Sequence, residues 1–374
     1  MIPKIDLDIK GNVEDTKVVV AMSGGVDSSV AAALVKNSGY SVIGITLQLY
    51  DHGSAKSKKG SCCAGQDIYD ARKVAADLEI PHFVLNYEDI FRNKVINSFS
   101  ESYQKGETPI PCVLCNEKVK FDDLFLAAKD LDAKALVTGH YIITNNNKSG
   151  RQMHRALDKE KDQSYFLFKT TKEQMDFLRF PLGPFKKTDI RNIAEEIGLS
   201  VSDKPDSQDI CFVPEGKYSE VLKKIDPKNL KPGYLKLTNG KIVGEHDGIV
   251  NFTIGQRKGL GVALGDPFYV IEINPENHDV ILGSKEDLKR KSIYITDLNW
   301  IGDNKLEKND NKKIKVMAKI RSTQEPVNAS LFFDNGKMCV NFDENIEGVS
   351  PGQACVFYDS KNASRVLGGG WISG

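Results

Sequence analysis

Ser23-Gly24-Gly25-Val26-Asp27-Ser28-Ser29 decides the fold of this 374-residue chain. Val18-Val19-Val20-Ala21-Met22 precedes it, and Val30-Ala31-Ala32-Ala33-Leu34-Val35 follows. The first run predicts a buried parallel strand, the second a helix that stops at Gly39. Two glycines let the backbone turn tightly with its N–H groups pointing inward, and the helix N-terminus behind them adds positive potential. With the hydroxyls of Ser23, Ser28 and Ser29 as further donors, the turn is suited to a polyphosphate. The plain alternative is a strand–turn–helix whose small residues serve packing alone.

No Gly-Lys-Ser/Thr follows at Walker spacing, and the Gly-x-Gly-x-x-Gly dinucleotide fingerprint is absent. The pattern SGGxDS instead resembles the PP-loop of ATP pyrophosphatases, enzymes that split ATP into AMP and pyrophosphate. Outward from the turn, strand and helix signals alternate. Val42–Leu49, His82–Leu85 and Ala135–Thr138 read as strands; Asp67–Leu78, Ile90–Gln104 and Lys118–Leu131 read as helices. That order implies an α/β, doubly wound parallel sheet of Rossmann-like type. Its ligands belong at the carboxyl ends of the strands, where Ser23, Leu47 and Gly139 fall. Asn145–Gly150 reads as a loop, and Thr188 as the N-cap of a helix reaching Ile197.

Beyond Val213 short β-rich runs alternate with turn signals such as Asn239-Gly240 and Pro351-Gly352. Three domains are expected: a catalytic domain over 1–214, a small β-domain over 215–283 and a C-terminal β-barrel over 284–374. Asp303–Lys313, polar and charged, reads as a loop or hairpin tip. Fifty-one basic and 51 acidic side chains leave a formal charge of zero. A nucleic acid would then have to be met by a local basic face, not by the field of the whole molecule. No apolar run has membrane-spanning length and no signal-peptide order opens the chain, so the expected location is cytoplasmic, with no membrane partner.

Seven cysteines in such a protein argue against a structural disulfide framework. Cys339 and Cys355 sit in apolar strand-like runs and read as buried, inert thiols. Cys62 and Cys63 lie in a Gly/Ser/Lys loop. Thr108-Pro109-Ile110-Pro111-Cys112-Val113-Leu114-Cys115-Asn116 is stiffened by proline and leads into a helix, which would lower the Cys115 pKa toward a partial thiolate. Cys211 follows in Asp206-Ser207-Gln208-Asp209-Ile210-Cys211-Phe212. A zinc site would need a fourth ligand that no second CxxC or nearby His pair supplies.

Taken with the PP-loop, these cysteines are similar to those of the tRNA-specific 2-thiouridylases, the MnmA/TrmU family. The likeness continues through Thr138-Gly139-His140-Tyr141, Lys161-Asp162-Gln163-Ser164-Tyr165-Phe166-Leu167, Asp209-Ile210-Cys211-Phe212, Thr253-Ile254-Gly255-Gln256-Arg257-Lys258-Gly259-Leu260-Gly261 and Ser350-Pro351-Gly352-Gln353. The resemblance implies an ATP- and Mg²⁺-dependent enzyme that adenylates the C2 oxygen of the tRNA wobble uridine. Sulfur then arrives as a persulfide on Cys211, loaded by a donor such as a cysteine desulfurase or a sulfur relay protein. Cys115 is the implied nucleophile, pairing transiently with Cys211 in a disulfide. ATP contacts carry over to Ala21, Met22, Ser23, Gly24, Gly25, Val26, Asp27, Ser28, Leu47 and Gly139. Contacts to tRNA carry over to Ile110, Pro111, Cys112, His140, Lys161, Asp162, Gln163, Arg321, Ser322 and Gln353.

Two departures bear on those roles. Many members carry Asp where this chain has Cys112, so an acid/base role does not transfer. A Cys112/Cys115/Cys211 set opens the alternative of an iron–sulfur (4Fe-4S) cluster. Ser322 replaces a common aromatic neighbour of Arg321, which weakens stacking there. Gln256-Arg257-Lys258-Gly259 offers phosphate donors on a glycine-rich loop. Two rival functions remain from the residues: a PP-loop ligase or amidotransferase adenylating a small molecule, and a non-catalytic tRNA-binding protein.

Overall fold

The computed structural model describes residues 2–50, 65–206, 210–213, 218–225, 231–262, 265, 267–303, 306 and 313–374. Cys62, Cys63, Ser207, Gln208, Asp209 and most of Asp303–Lys313 lie outside them. The chain divides into two interleaved units. The first takes residues 1–94, 112–214 and 364–366; the second takes 95–111, 215–363 and 367–374.

The first unit is built on five parallel strands. In chain order its elements begin with β1 (Lys17–Ala21), α1 (Val26–Asn37), β2 (Ser41–Gln48), α2 (Gly65–Asp77), β3 (His82–Asn86) and α3 (Glu88–Phe91). After α4 (Asn97–Gln104), which belongs to the second unit, come α5 (Pro111–Cys115), α6 (Asp123–Asp130), β4 (Ala135–Val137), β5 (Ile142–Asn147) and β6 (Gly150–Arg155). The unit closes with α7 (Lys172–Phe177), β7 (Leu178–Arg179) and α8 (Lys187–Glu196). The sheet order is β3-β2-β1-β4-β7, with β1 at its centre.

Val18, Val19 and Val20 are fully buried because both faces of β1 are covered. Each such valine contributes roughly 1.5–3 kcal/mol of burial. Helix α1 is apolar nearly all round and correspondingly buried from Val30 to Val35. It ends where Gly39 takes φ 97°, a left-handed conformation that suits glycine.

Several expected elements are reshaped. The Asn145–Gly150 stretch is not a loop: β5 and β6 form an antiparallel hairpin through it, pairing Asn147 with Gly150. Helix α8 starts at Lys187, where the Asp189 carboxylate accepts the Lys186 N–H, so Thr188 is not the cap. The run expected as a single helix over 90–104 contains a π-helical turn at Arg92–Ile96, and the run over 118–131 opens inside the π-helical turn Asn116–Lys120 and is α-helical only over Asp123–Asp130.

In the second unit, α9 (Tyr218–Ile225) precedes a mixed sheet ordered β10-β11-β8-β9. Its strands are β8 (Gly233–Leu237), β9 (Ile242–His246), β10 (Tyr269–Asn274) and β11 (Asp279–Gly283). A closed antiparallel barrel follows, from β12 (Lys289–Trp300), β13 (Ile314–Lys319), β14 (Val327–Asp334), β15 (Lys337–Glu347), β16 (Ala354–Tyr358) and β17 (Val366–Ile372). Closure leaves no free strand edge. Cys339 and Cys355 are buried in β15 and β16, and burial raises both thiol pKa values.

Candidate active site

The β1–α1 turn opens into a cavity of about 500 Å³ at the carboxyl ends of β1, β2 and β4. It is lined by Ala21, Met22, Ser23, Gly25, Val26, Asp27, Ser28, Leu47 and Gly139 among the expected ATP contacts. Two glycines set its shape. Gly24 has φ 76°, and a Cβ there would stand 2.1 Å from the Asp67 carbonyl oxygen. At Gly139 a Cβ would lie 2.8 Å from the Ser28 backbone nitrogen. The end of β4 therefore reaches the first turn of α1 only because no side chain intervenes.

The hydroxyls divide differently from the expectation. Ser29 is fully buried and donates to the Gly25 carbonyl at 2.8 Å, so it stabilises the turn from within. Ser28 Oγ accepts the Ser23 N–H at 3.1 Å and lies 3.2 Å from Ser23 Oγ. Ser23 is the exposed one of the three.

A charged network closes the far wall. Lys187 Nζ donates to both Asp27 carboxylate oxygens, at 2.7 and 2.8 Å, and also pairs with Asp206 at 2.8 Å. Tyr141 donates its hydroxyl to Asp27 at 2.7 Å; burial first, then the Asp27 charge, pushes that phenol's pKa far up. Lys161 and Arg191 also reach Asp206, at 2.8 and 2.9 Å. Burial opposes the Asp206 charge, but the hydrogen bonds from Lys161 and Lys187 outweigh it and hold the carboxyl at about 2. Lys204 donates to the Gly24 carbonyl at 2.9 Å and to Asp67 and Asp70 at 2.5 Å each. Those carboxylates overcome its burial and raise its pKa. The sequence reading singled out neither Lys187 nor Lys204, and quoted Asp206 only as a neighbour of Cys211. Their one signal was a pair of lysines and an aspartate in the polar segments bounding α8.

His140 lines the same cavity, its Nδ1 2.8 Å from Thr138 Oγ1 and its ring edge-on to Phe121 and Phe180. Burial, then the Lys120 charge, lowers its pKa well below 6.5, so the imidazole is neutral at pH 7. Gln163 brackets Tyr141, accepting its N–H at 2.8 Å and donating its own N–H to the Tyr141 carbonyl at 3.0 Å. Asp162 has a different place. Its side chain is 1% exposed and accepts from Arg155, the Ala156 N–H and both Ser164 donors, so it braces the loop from inside.

The described cysteines stand apart from this wall: none of them is among the residues lining the cavity. Cys115 ends α5 and runs straight into the π-turn Asn116–Lys120. Burial raises its pKa and outweighs the lowering effect of Lys120, which corrects the expectation of a partial thiolate. The expected helix N-terminus is occupied by Pro111 and Cys112, not by Cys115. Cys112 is exposed; Cys211 is half-buried and its carbonyl accepts the Tyr50 hydroxyl at 2.6 Å. All five described cysteines are free thiols, so the Cys115–Cys211 disulfide is not formed in this state. Among the described residues no three of His, Cys, Asp or Glu converge as a metal site.

In the second unit, Ile110 is half-buried and Pro111 buried. Gln353 donates its amide to the Thr108 carbonyl at 2.9 Å, and the Thr108 N–H donates to Pro351 at 2.8 Å. Arg321 donates to the Gly348 carbonyl at 2.7 Å, while Ser322 is exposed.

Three family models match the chain in order. They are a tRNA methyl transferase HUP domain over residues 16–215, a tRNA methyl transferase PRC-barrel domain over 219–284, and an aminomethyltransferase β-barrel domain over 290–372. Among curated proteins, the tRNA-specific 2-thiouridylase MnmA of Parvibaculum lavamentivorans is 54% identical over 98% of this chain and 93% of its own length. The protein of the same description from Bartonella bacilliformis is 55% identical over 98% of this chain and 94% of its own. Likeness at that level, along the whole chain and over all three matched segments, makes this chain a member of the MnmA family of tRNA-specific 2-thiouridylases.

Proposed function

We propose that the chain is a tRNA-uridine 2-sulfurtransferase acting at the wobble position. It binds ATP in the β1–α1 cavity, places the adenylate on the uracil C2 oxygen and then replaces it with sulfur. The observation that carries the reading is full-length membership of the 2-thiouridylase family, joined to a PP-loop turn that opens into a cavity of nucleotide size.

Chemically, the uracil O2 attacks the α-phosphorus and pyrophosphate leaves. The N–H groups of Gly25 to Ser28 and the Ser23 hydroxyl are suited to the leaving pyrophosphate. Lys187, now satisfied by Asp27 and Asp206, is the cation best placed to turn toward phosphate when ATP enters. Asp27 would then meet the Mg²⁺ that ATP brings, since Mg²⁺ commonly takes one or two carboxylates beside phosphate oxygens. The terminal sulfur of a Cys211 persulfide attacks C2, and Cys115 attacks the Cys211 sulfur. The S–S bond to the transferred sulfur breaks, a Cys115–Cys211 disulfide forms, AMP departs, and an external dithiol reopens the pair. Lys120 lowers the Cys115 pKa while burial raises it. Displacing the cover over Cys115 as the uridine enters would therefore release a thiolate.

The catalytic domain is assigned to 1–214, the small central β-domain to 215–283, and tRNA binding to the C-terminal barrel at 284–374. A cytoplasmic site of action and a persulfide-donor protein complete the reading. No described helix is long and apolar enough to cross a membrane.

Incubation with unmodified tRNA, ATP, Mg²⁺ and a sulfide source, followed by nucleoside analysis, should yield 2-thiouridine and AMP. Cys115→Ser and Cys211→Ser should each abolish the product when the sulfur source is a persulfide donor. AMP without 2-thiouridine would favour a ligase, and no tRNA-dependent AMP would favour a binding protein.

A further inference from the structure

Thr253 to Gly261 forms a turn in the second unit that is held from within. Gln256 Oε1 accepts the Thr253 N–H at 3.0 Å, and Gln256 Nε2 donates to the Lys258 carbonyl at 3.0 Å. The backbone is tied to β10 on both sides: the Gly255 N–H donates to Val270 at 2.8 Å, and the Val270 N–H donates to Gln256 at 3.0 Å. Phe252 and Leu260 sink into the core beside Val270, pinning both ends. Gly255, Gly259 and Gly261 take φ values of 86°, 73° and 74°, conformations in which L side chains are strained.

What this frame presents is two adjacent cations. Arg257 and Lys258 are exposed, and among the described residues neither has a carboxylate, carbonyl or ring partner. Elsewhere in the unit Lys236 is taken by Asp279, Lys285 by Glu347 and Lys289 by Glu286. Arg321 completes the frame. Its guanidinium donates to the Gly348 carbonyl, and its Nη2 would lie 2.0 Å from a Cβ at Gly348 and 3.2 Å from one at Gly255. Arg321 thus lies close to both left-handed glycines.

We propose that Gln256-Arg257-Lys258-Gly259 is a phosphate-binding turn for the sugar–phosphate backbone of tRNA. It rests on the sulfurtransferase reading for the identity of the RNA. A rigid turn loses little entropy when it binds, and two cations without partners among the described residues give up no ion pair there to do so. The contact is electrostatic and independent of base sequence.

The test is equilibrium binding of the full-length chain to unmodified tRNA across a salt series. Arg257→Ala/Lys258→Ala should bind about tenfold more weakly near 0.1 M salt, with the log–log salt slope smaller by roughly 1.5, as two lost phosphate contacts require. The loss should be equal for a tRNA of altered anticodon. Gln256→Leu, which keeps both charges, should weaken binding severalfold. Unchanged affinity in either variant, an unchanged slope in the double variant, or a loss confined to one tRNA sequence would overturn the proposal. If the wild-type chain neither binds nor thiolates tRNA, it is the sulfurtransferase reading that falls; if it does both, these variants judge the turn alone.

Discussion

At the scale of single residues, accessibility and charge separate the thiols. Cys115 is buried with its pKa raised, first by desolvation and against the pull of Lys120, whereas Cys112 is exposed. Iodoacetamide at pH 7 should therefore modify Cys112 well before Cys115, by at least tenfold in rate as read by peptide mass spectrometry. Adding tRNA and ATP should narrow that gap if the cover over Cys115 is displaced; a Cys115 as reactive as Cys112 in the free protein would contradict its burial. Asp206 supplies a pH signature. Its folded pKa of about 2 lies below the ordinary 3.8, so its stabilisation is fully present above the ordinary value and is lost as pH falls through about 2. Replacing it with Asn should remove that component, making acid unfolding less steep between pH 4 and 2 while lowering stability at pH 7.

At the scale of elements, the first turn of α1 concentrates the chemistry and also the constraint. A methyl at Gly24 meets the Asp67 carbonyl and must adopt a left-handed φ; the conformational part alone costs about 1–2 kcal/mol. Gly24→Ala and Gly139→Ala should each lower ATP affinity at least tenfold by calorimetry. Gly198→Ala, at the open end of α8, meets nothing within 4 Å and should cost only its positive-φ strain, leaving nucleotide affinity intact.

This turn was legible because its signals are local: a valine run, two glycines and an alanine-rich helix within twenty positions. Lys187, Lys204 and Asp206 were not, because each acquires its role by meeting Asp27, Gly24 or Lys161 across 45 to 180 positions. The 145–150 hairpin was hidden by Asn145-Asn146-Asn147, a turn-like composition that β5 nonetheless carries as strand. Cys115 failed in the same manner. A helix start could be read two prolines upstream, but not that the cysteine would fall at its far end, where burial controls the thiol.

At the scale of the whole molecule, sequence order and spatial grouping disagree in two places. Residues 95–111 belong with the second unit although they precede Cys112, and residues 364–366 belong with the first although they lie inside the terminal barrel region. In the second unit the Gly106–Thr108 segment packs on the barrel's Pro351–Gln353 turn. The Thr108 N–H bonds Pro351, Gln353 bonds the Thr108 carbonyl, and a Cβ on Gly352 would press on Glu107 at 2.8 Å. In the first unit the Arg155 N–H donates to Ser364 at 2.8 Å. Truncation after residue 283 therefore does more than delete the barrel, because it frees 106–108 and strips the Ser364 contact from β6. The fragment 1–283 should show rapid cleavage under limited trypsin digestion at Lys105, the one tryptic site between 95 and 111, where the full-length chain resists. Gln353→Leu in the full chain removes one clamp bond and leaves the rest of the barrel, so cleavage at Lys105 should rise only a fewfold. If the fragment and the full chain are cut there at equal rates, the barrel does not hold the segment that precedes the cysteines.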